Sequence, residues 1–165
     1  MFKLSFLSLL LVSSFASAEE ARRANAHVHG LNNLSMVISQ NQVAITYEMP
    51  IVQLFDEHDE HDEPTLSDES LAEFQNYSQL FALPESANCD LVSFESGLHS
   101  VSTEGDHKDV ELAYEFSCND SSQLKSITIN AFNRFSELET LNFEAVINNK
   151  AITKSLKSDV NKVIF

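Results

Sequence analysis

Between Val110 and Cys118 the chain alternates without a break. Val110, Leu112, Tyr114, Phe116 and Cys118 fall on one side, with Glu111 and Glu115 among the residues on the other. A period of two sends these two sets to opposite faces of an extended strand. One face needs a core and the other needs water, so this segment can join only a sheet covered on one side. Other segments follow the same rule. Within residues 28–39, Leu34, Met36 and Ile38 share a face, Gln40-Asn41 makes a polar turn, and Val43, Ile45 and Tyr47 continue on a second strand. That pattern predicts a hairpin. Pro50 ends it, because proline cannot donate to a ladder.

Residues 89–94, 124–132, 138–147 and 151–156 supply further strand candidates, with Asn148-Asn149 as the turn between the last two and a loop expected over 97–105. One helix is predicted over about 67–81. Ser67 is its N-cap, with Ser70 a competing start; Leu71, Phe74, Tyr77 or Ser78, and Phe81 recur at helical spacing, and Pro84 ends it. Asp68, Glu69 and Glu73 lie near its N-terminus, where the macrodipole favours negative charge. No internal repeat is present, which argues against a solenoid. Strands joined by short turns imply an α+β fold, a single domain on a mainly antiparallel sheet with one main helix.

The first eighteen residues read differently. Lys3 precedes an apolar run from Leu4 to Phe15, and Ala16-Ser17-Ala18 forms an A-x-A site before Glu19. This is the pattern of a cleaved secretory signal, and the apolar run is too short to span a bilayer. No lipobox cysteine follows the apolar run, so a lipid anchor is not expected. The expectation is a periplasmic protein made of residues 19–165, with secretion as the alternative and no membrane insertion after cleavage. The formal charge is −15, and losing Lys3 makes it one unit more negative. Such a balance argues against nucleic acid and anionic membranes and favours cations or basic surfaces, though solubility alone would also account for it.

Cys89 and Cys118 are the two cysteines of the chain. An even count in an oxidising compartment points to a disulfide, which would close a loop of about 30 residues and contribute about 3 kcal/mol. A pair of thiolate ligands or a redox couple is the rival reading. Their spacing is unlike C-x-x-C, and both end strand-like segments.

The six histidines carry the chemistry. His27 and His29 flank Val28, so on an extended segment they project from one face, and Gly30 permits an unusual backbone turn beside them. His107 and Asp109 repeat this spacing at the start of the alternating strand. Together the two pairs offer three imidazoles and a carboxylate, a donor set suited to Zn²⁺ and acceptable to copper or nickel. His58 and His61 lie in the run Asp56-Glu57-His58-Asp59-Glu60-His61-Asp62-Glu63. A segment this acidic repels itself, so 56–64 is expected to be a flexible loop in which His61, Asp59 and Asp62 capture ions weakly. His99, in the expected 97–105 loop, is the least promising of the six.

The blocks that hold these residues resemble the ZrgA-like family of periplasmic proteins associated with zinc-regulated operons. The likeness begins at Ala26-His27-Val28-His29-Gly30 and continues through Leu34, Pro50 and Leu54-Phe55-x-x-His58. It includes Cys89, then His107-x-Asp109-x-x-x-x-Tyr114-x-Phe116-x-Cys118, and ends in Ala131-Phe132-x-Arg134-Phe135-x-x-Leu138-Glu139-x-Leu141. The resemblance implies a zinc-binding protein linked to zinc acquisition that hands ions to a membrane zinc transporter. It makes His27, His29, His58, His107 and Asp109 the candidate ligands. This chain departs from the pattern at Leu54, where relatives have glycine, and the following glutamate and histidine are shifted by one position. It also has a short loop where many relatives carry a long His-rich insertion. That departure weighs against high-capacity buffering more than against one ordered site.

Catalysis is not expected. H-E-x-x-H, G-x-S-x-G, a P-loop and a glycine-rich dinucleotide turn are all missing from the sequence, and only proximity nominates Glu57 or Glu111 as a general base. The alternative to metal binding is a structural or interaction domain whose acidic surface meets a basic partner.

Overall fold

The structure, a computed structural model, describes residues 31–54, 71–100 and 108–165. The predicted hairpin forms from β1 (Leu31–Ser39) and β2 (Gln42–Pro50), turning at Gln40, which adopts a positive φ of 55°. The second long hairpin is β4 (Cys89–Ser100) with β5 (Lys108–Cys118). A third joins β7 (Thr140–Ile147) to β8 (Lys150–Leu156) through Asn148 and Asn149, whose φ angles of 50° and 63° are both left-handed. Two successive left-handed residues match the twist of a tight hairpin, and asparagine tolerates that region better than most side chains.

These six strands form one sheet in the order β4-β5-β2-β1-β7-β8. Every pairing is antiparallel except β1 with β7, which runs parallel with Leu34 opposite Phe143. A smaller sheet contains β3 (Phe81–Ala82), β6 (Ser126–Ile129) and β9 (Lys162–Ile164), in the order β3-β6-β9. The fold is thus the expected α+β domain on a mainly antiparallel sheet, with one short helix, α1 (Ala131–Arg134). Among the described residues no helix is long and apolar enough to cross a membrane.

The alternation reads directly into burial. Leu34, Met36, Val43, Ile45, Tyr47, Val110, Leu112 and Tyr114 point into one core, and Phe81, Ile127, Ile129 and Val163 of the small sheet close over it. Phe81 meets the Tyr114 ring edge-on at 5.3 Å, an arrangement that aligns ring edges with ring faces. The Tyr114 hydroxyl donates to the Phe74 carbonyl at 2.8 Å, and the Tyr47 hydroxyl accepts from Asn32 Nδ2 at 2.6 Å. Burial pushes both phenols well above their usual range. The Asn32 hydrogen bond opposes that rise at Tyr47, and the neighbouring Tyr47 adds to it at Tyr114.

Three expectations need correction. The helix over 67–81 is not continuous where it is described. Leu71 and Ala72 are helical, two 3-10 turns follow at Glu73–Gln75 and Tyr77–Gln79, and the chain is already extended at Phe81. Asn76 at a ψ of 76° separates the turns, and the spacing that suggested a helix instead buries Phe74 and Leu80 from short turns. The strand predicted over 89–94 runs on to Ser100, taking in part of the expected 97–105 loop. The segment 124–132 is a four-residue strand followed by α1. Arg134 at the end of α1 pairs with Glu73 at 2.9 Å, tying the helix to the 3-10 segment.

Cys89 and Cys118 form the disulfide. They stand directly opposite one another in the β4–β5 register, at the end of the hairpin away from its connecting loop. Neither sulfur is therefore free as a thiolate ligand.

Candidate metal centre

The face of the large sheet turned away from the core is largely polar and acidic. It carries Glu95, Asp109, Glu111, Glu115 and Glu48 on β4, β5 and β2, and Glu144 on β7, whereas Lys150 and Lys154 of β8, paired with Ile147 and the buried Phe143, belong to the other face. An amide ladder crosses the middle. Asn142 Nδ2 donates to Asn33 Oδ1 at 3.2 Å, and Asn33 Nδ2 reaches Glu48 Oε2 at 3.4 Å. Glu48 in turn stands opposite Glu111 on β5. Like charges directly opposed on a sheet repel, so this side of the face favours an arriving cation.

Topology then gathers the chain segments that hold the histidines. β1 begins, β2 ends, β4 ends and β5 begins at one end of the sheet, as the antiparallel registers require. The chain leaves that end after the 3-10 turn Ile51–Leu54, towards residues 55–70. It enters the same end from residues 1–30 at Leu31 and from residues 101–107 at Lys108. Each segment carrying a candidate ligand is therefore attached at this one end.

Of the candidate ligands, Asp109 is described. It is half-buried in the first turn of pleat of β5, with Pro50 opposite on β2 and His99 opposite on β4. His27, His29, His58, His61, Asp59, Asp62 and His107 lie outside the described residues. Among the described residues, no group of three or more histidine, cysteine, aspartate or glutamate side chains is placed to hold a metal ion. The described part of the chain thus contributes one carboxylate and an acidic surface around it.

The register also brings up a residue that alternation in sequence does not select. From Cys89 to Leu91 strand β4 pairs in one register, and from Ser93 onward it is shifted by one residue. The bulge leaves Val92 as the extra residue, 62 % exposed. A one-residue shift exchanges the two faces of a strand, and this one sets His99, rather than Leu98, opposite Asp109. The sequence signal was present only as an interrupted period across Leu91-Val92-Ser93.

No curated protein matches the chain. The family model for ZrgA family zinc uptake proteins matches residues 26–165, which takes in both sheets and every candidate ligand. The chain belongs to the ZrgA family of zinc uptake proteins, and its role is accordingly a zinc-related one.

Proposed function

We propose that the protein captures Zn²⁺ outside the cytoplasm, at the end of the large sheet where β5 begins, and passes it to a membrane zinc transporter. The observation that carries this reading is topological: segments 1–30, 55–70 and 101–107 all attach at the sheet end that holds Asp109, beside an acidic face. His29 precedes Leu31 by two residues and His107 precedes Asp109 by two, so the chain tethers both within about 7 Å of those positions. The start of β1 is two strands, about 10 Å, from Asp109. On this reading His27, His29, His107 and Asp109 hold the ion, with His58 joining them. His61, Asp59 and Asp62 capture ions loosely. The zinc ion is cargo and the protein is not an enzyme. Residues 1–18 are its export signal, and residues 19–165 form the periplasmic domain.

Zinc titration of the chain from Glu19 onward tests this. Micromolar or tighter binding that disappears in a His27→Ala/His29→Ala variant is expected. Binding that survives that change but vanishes when residues 56–63 are deleted would leave only loose capture by the acidic segment. No binding at all would favour an interaction domain that uses its acidic face. Histidine must be neutral to coordinate, so affinity should fall as pH drops through about 6.5; a flat profile between about pH 7.5 and 5.5 would rule out a histidine-centred site.

A further inference from the structure

We infer that the outer face of the large sheet docks a basic amphipathic helix of a protein partner, laid along a row of small apolar residues that crosses the middle of the sheet. The inference goes beyond zinc capture, does not rest on it and concerns a different part of the molecule. The register places Ala44, Val37, Val146 and Ala151 side by side on β2, β1, β7 and β8. Val37 and Val146 are 47 % and 46 % exposed, while their chain neighbours Met36 and Ala145 are buried on the core side. A row across four neighbouring strands spans about 14 Å, the length of a helix of about ten residues. The adjacent row holds Ser35 and Thr46, so on β1 and β2 only short side chains border the apolar strip on that side.

Carboxylates flank the strip. Glu115 continues its row onto β5, opposite Ala44, and Ser93 Oγ donates to its Oε2 at 3.0 Å, which orients the group. Glu144 stands one pleat away on β7, opposite Ser35, and the opposed pair Glu48 and Glu111 lies beyond. Within the six strands, no described position of this face is lysine or arginine. The charge is of one sign, so the complementary partner is cationic. A second copy of this face would set carboxylate against carboxylate, and nucleic acid and anionic lipid are repelled in the same way. The small sheet closes over the opposite face, and among the described residues no element covers this one. A segment lying on a sheet face, rather than pairing at its edge, must satisfy its own backbone hydrogen bonds, which selects a helix over a strand. Its apolar side chains meet Val37 and Val146, and its lysines or arginines reach Glu115 and Glu144.

The test is a metal-free titration of the chain from Glu19 onward with a synthetic amphipathic helix of leucine and lysine, followed by backbone NMR. A peptide of the same pattern with glutamate for lysine is the control. The lysine peptide should shift the amide resonances of Val37, Ala44, Val146 and Ala151, and the glutamate peptide should shift none. Val37→Thr/Val146→Thr keeps β-branched residues in both strands, and it should weaken binding about tenfold by removing apolar contact. Glu115→Lys/Glu144→Lys should weaken it at least about tenfold by reversing the flanking charge. Should either pair of substitutions unfold the protein, the other pair and the resonance map decide. Unchanged affinity in the threonine variant marks charge attraction without docking and overturns the inference. Shifts confined to the acidic run at residues 56–63, or no binding of the lysine peptide, overturn it as well. Zinc capture stands or falls separately, since no metal is added.

Discussion

Asn32 and Tyr47 show what a single buried polar pair demands. Asn32 is fully buried, and its amide nitrogen donates to the Tyr47 hydroxyl. Its Oδ1 has no partner among the described residues. Tyr47→Phe would strip the remaining bond and leave the whole amide unsatisfied, which costs about 1–3 kcal/mol. Urea denaturation should show the midpoint falling with an unchanged slope. The pair was not legible in the sequence, where Asn32 reads as a polar residue ahead of the Leu34 alternation. The pairing of position 99 with Asp109 escaped for a related reason. It depends on a neighbouring strand, and the one-residue shift at Val92 hides that relation from any count along the chain.

At the level of strands and turns, legibility followed burial. The 110–118 strand and the β1–β2 hairpin were readable because each has one dry face and one wet face, so periodicity records the environment. The 3-10 segment misled because Leu71, Phe74 and Phe81 satisfy helical spacing while being buried from short turns and a strand. Strand β9 has three residues, of which Val163 alone is buried, too little pattern to announce itself. The disulfide was readable from cysteine count, and its placement gives it a definite job: it fastens the β4–β5 hairpin just before the bulge at Val92. A Cys89→Ser/Cys118→Ser variant should lose about 3 kcal/mol, and calorimetry on oxidised wild type and the variant measures this. If the hairpin also loosens, zinc affinity is expected to fall with stability, linking the bridge to the proposed site at the start of β5.

For the whole molecule, the two buried tyrosines set an alkaline limit. Their phenols titrate far above the unfolded value of 10.0, so the native state holds protons that the unfolded chain releases. Their contribution is fully present below pH 10.0 and declines as pH rises beyond it. Each tyrosine should remove about 1.4 kcal/mol of stability per pH unit there. Melting temperatures between neutral pH and pH 11 or so should therefore hold and then drop steeply, and Tyr114→Phe should soften the drop. The acidic face of the large sheet adds a second whole-molecule property. Approach of a divalent cation should slow as salt screens the acidic face, a trend that stopped-flow zinc association at two ionic strengths can measure.

The parallel pairing of β1 with β7 has a consequence for the order in which the molecule can assemble. The hairpin of β1 and β2 can form early, but the other edge of β1 stays open until Thr140–Ile147 arrives from the last part of the chain. Closing so distant a contact is slow and places the chain among folders on the order of milliseconds to seconds. Until then an apolar-lined edge is exposed to other chains. A chain whose central strand waits for its C-terminal third stays unfinished while it is being made. That delay would serve the proposed export, since a chain bound for a narrow channel has to reach it unfolded.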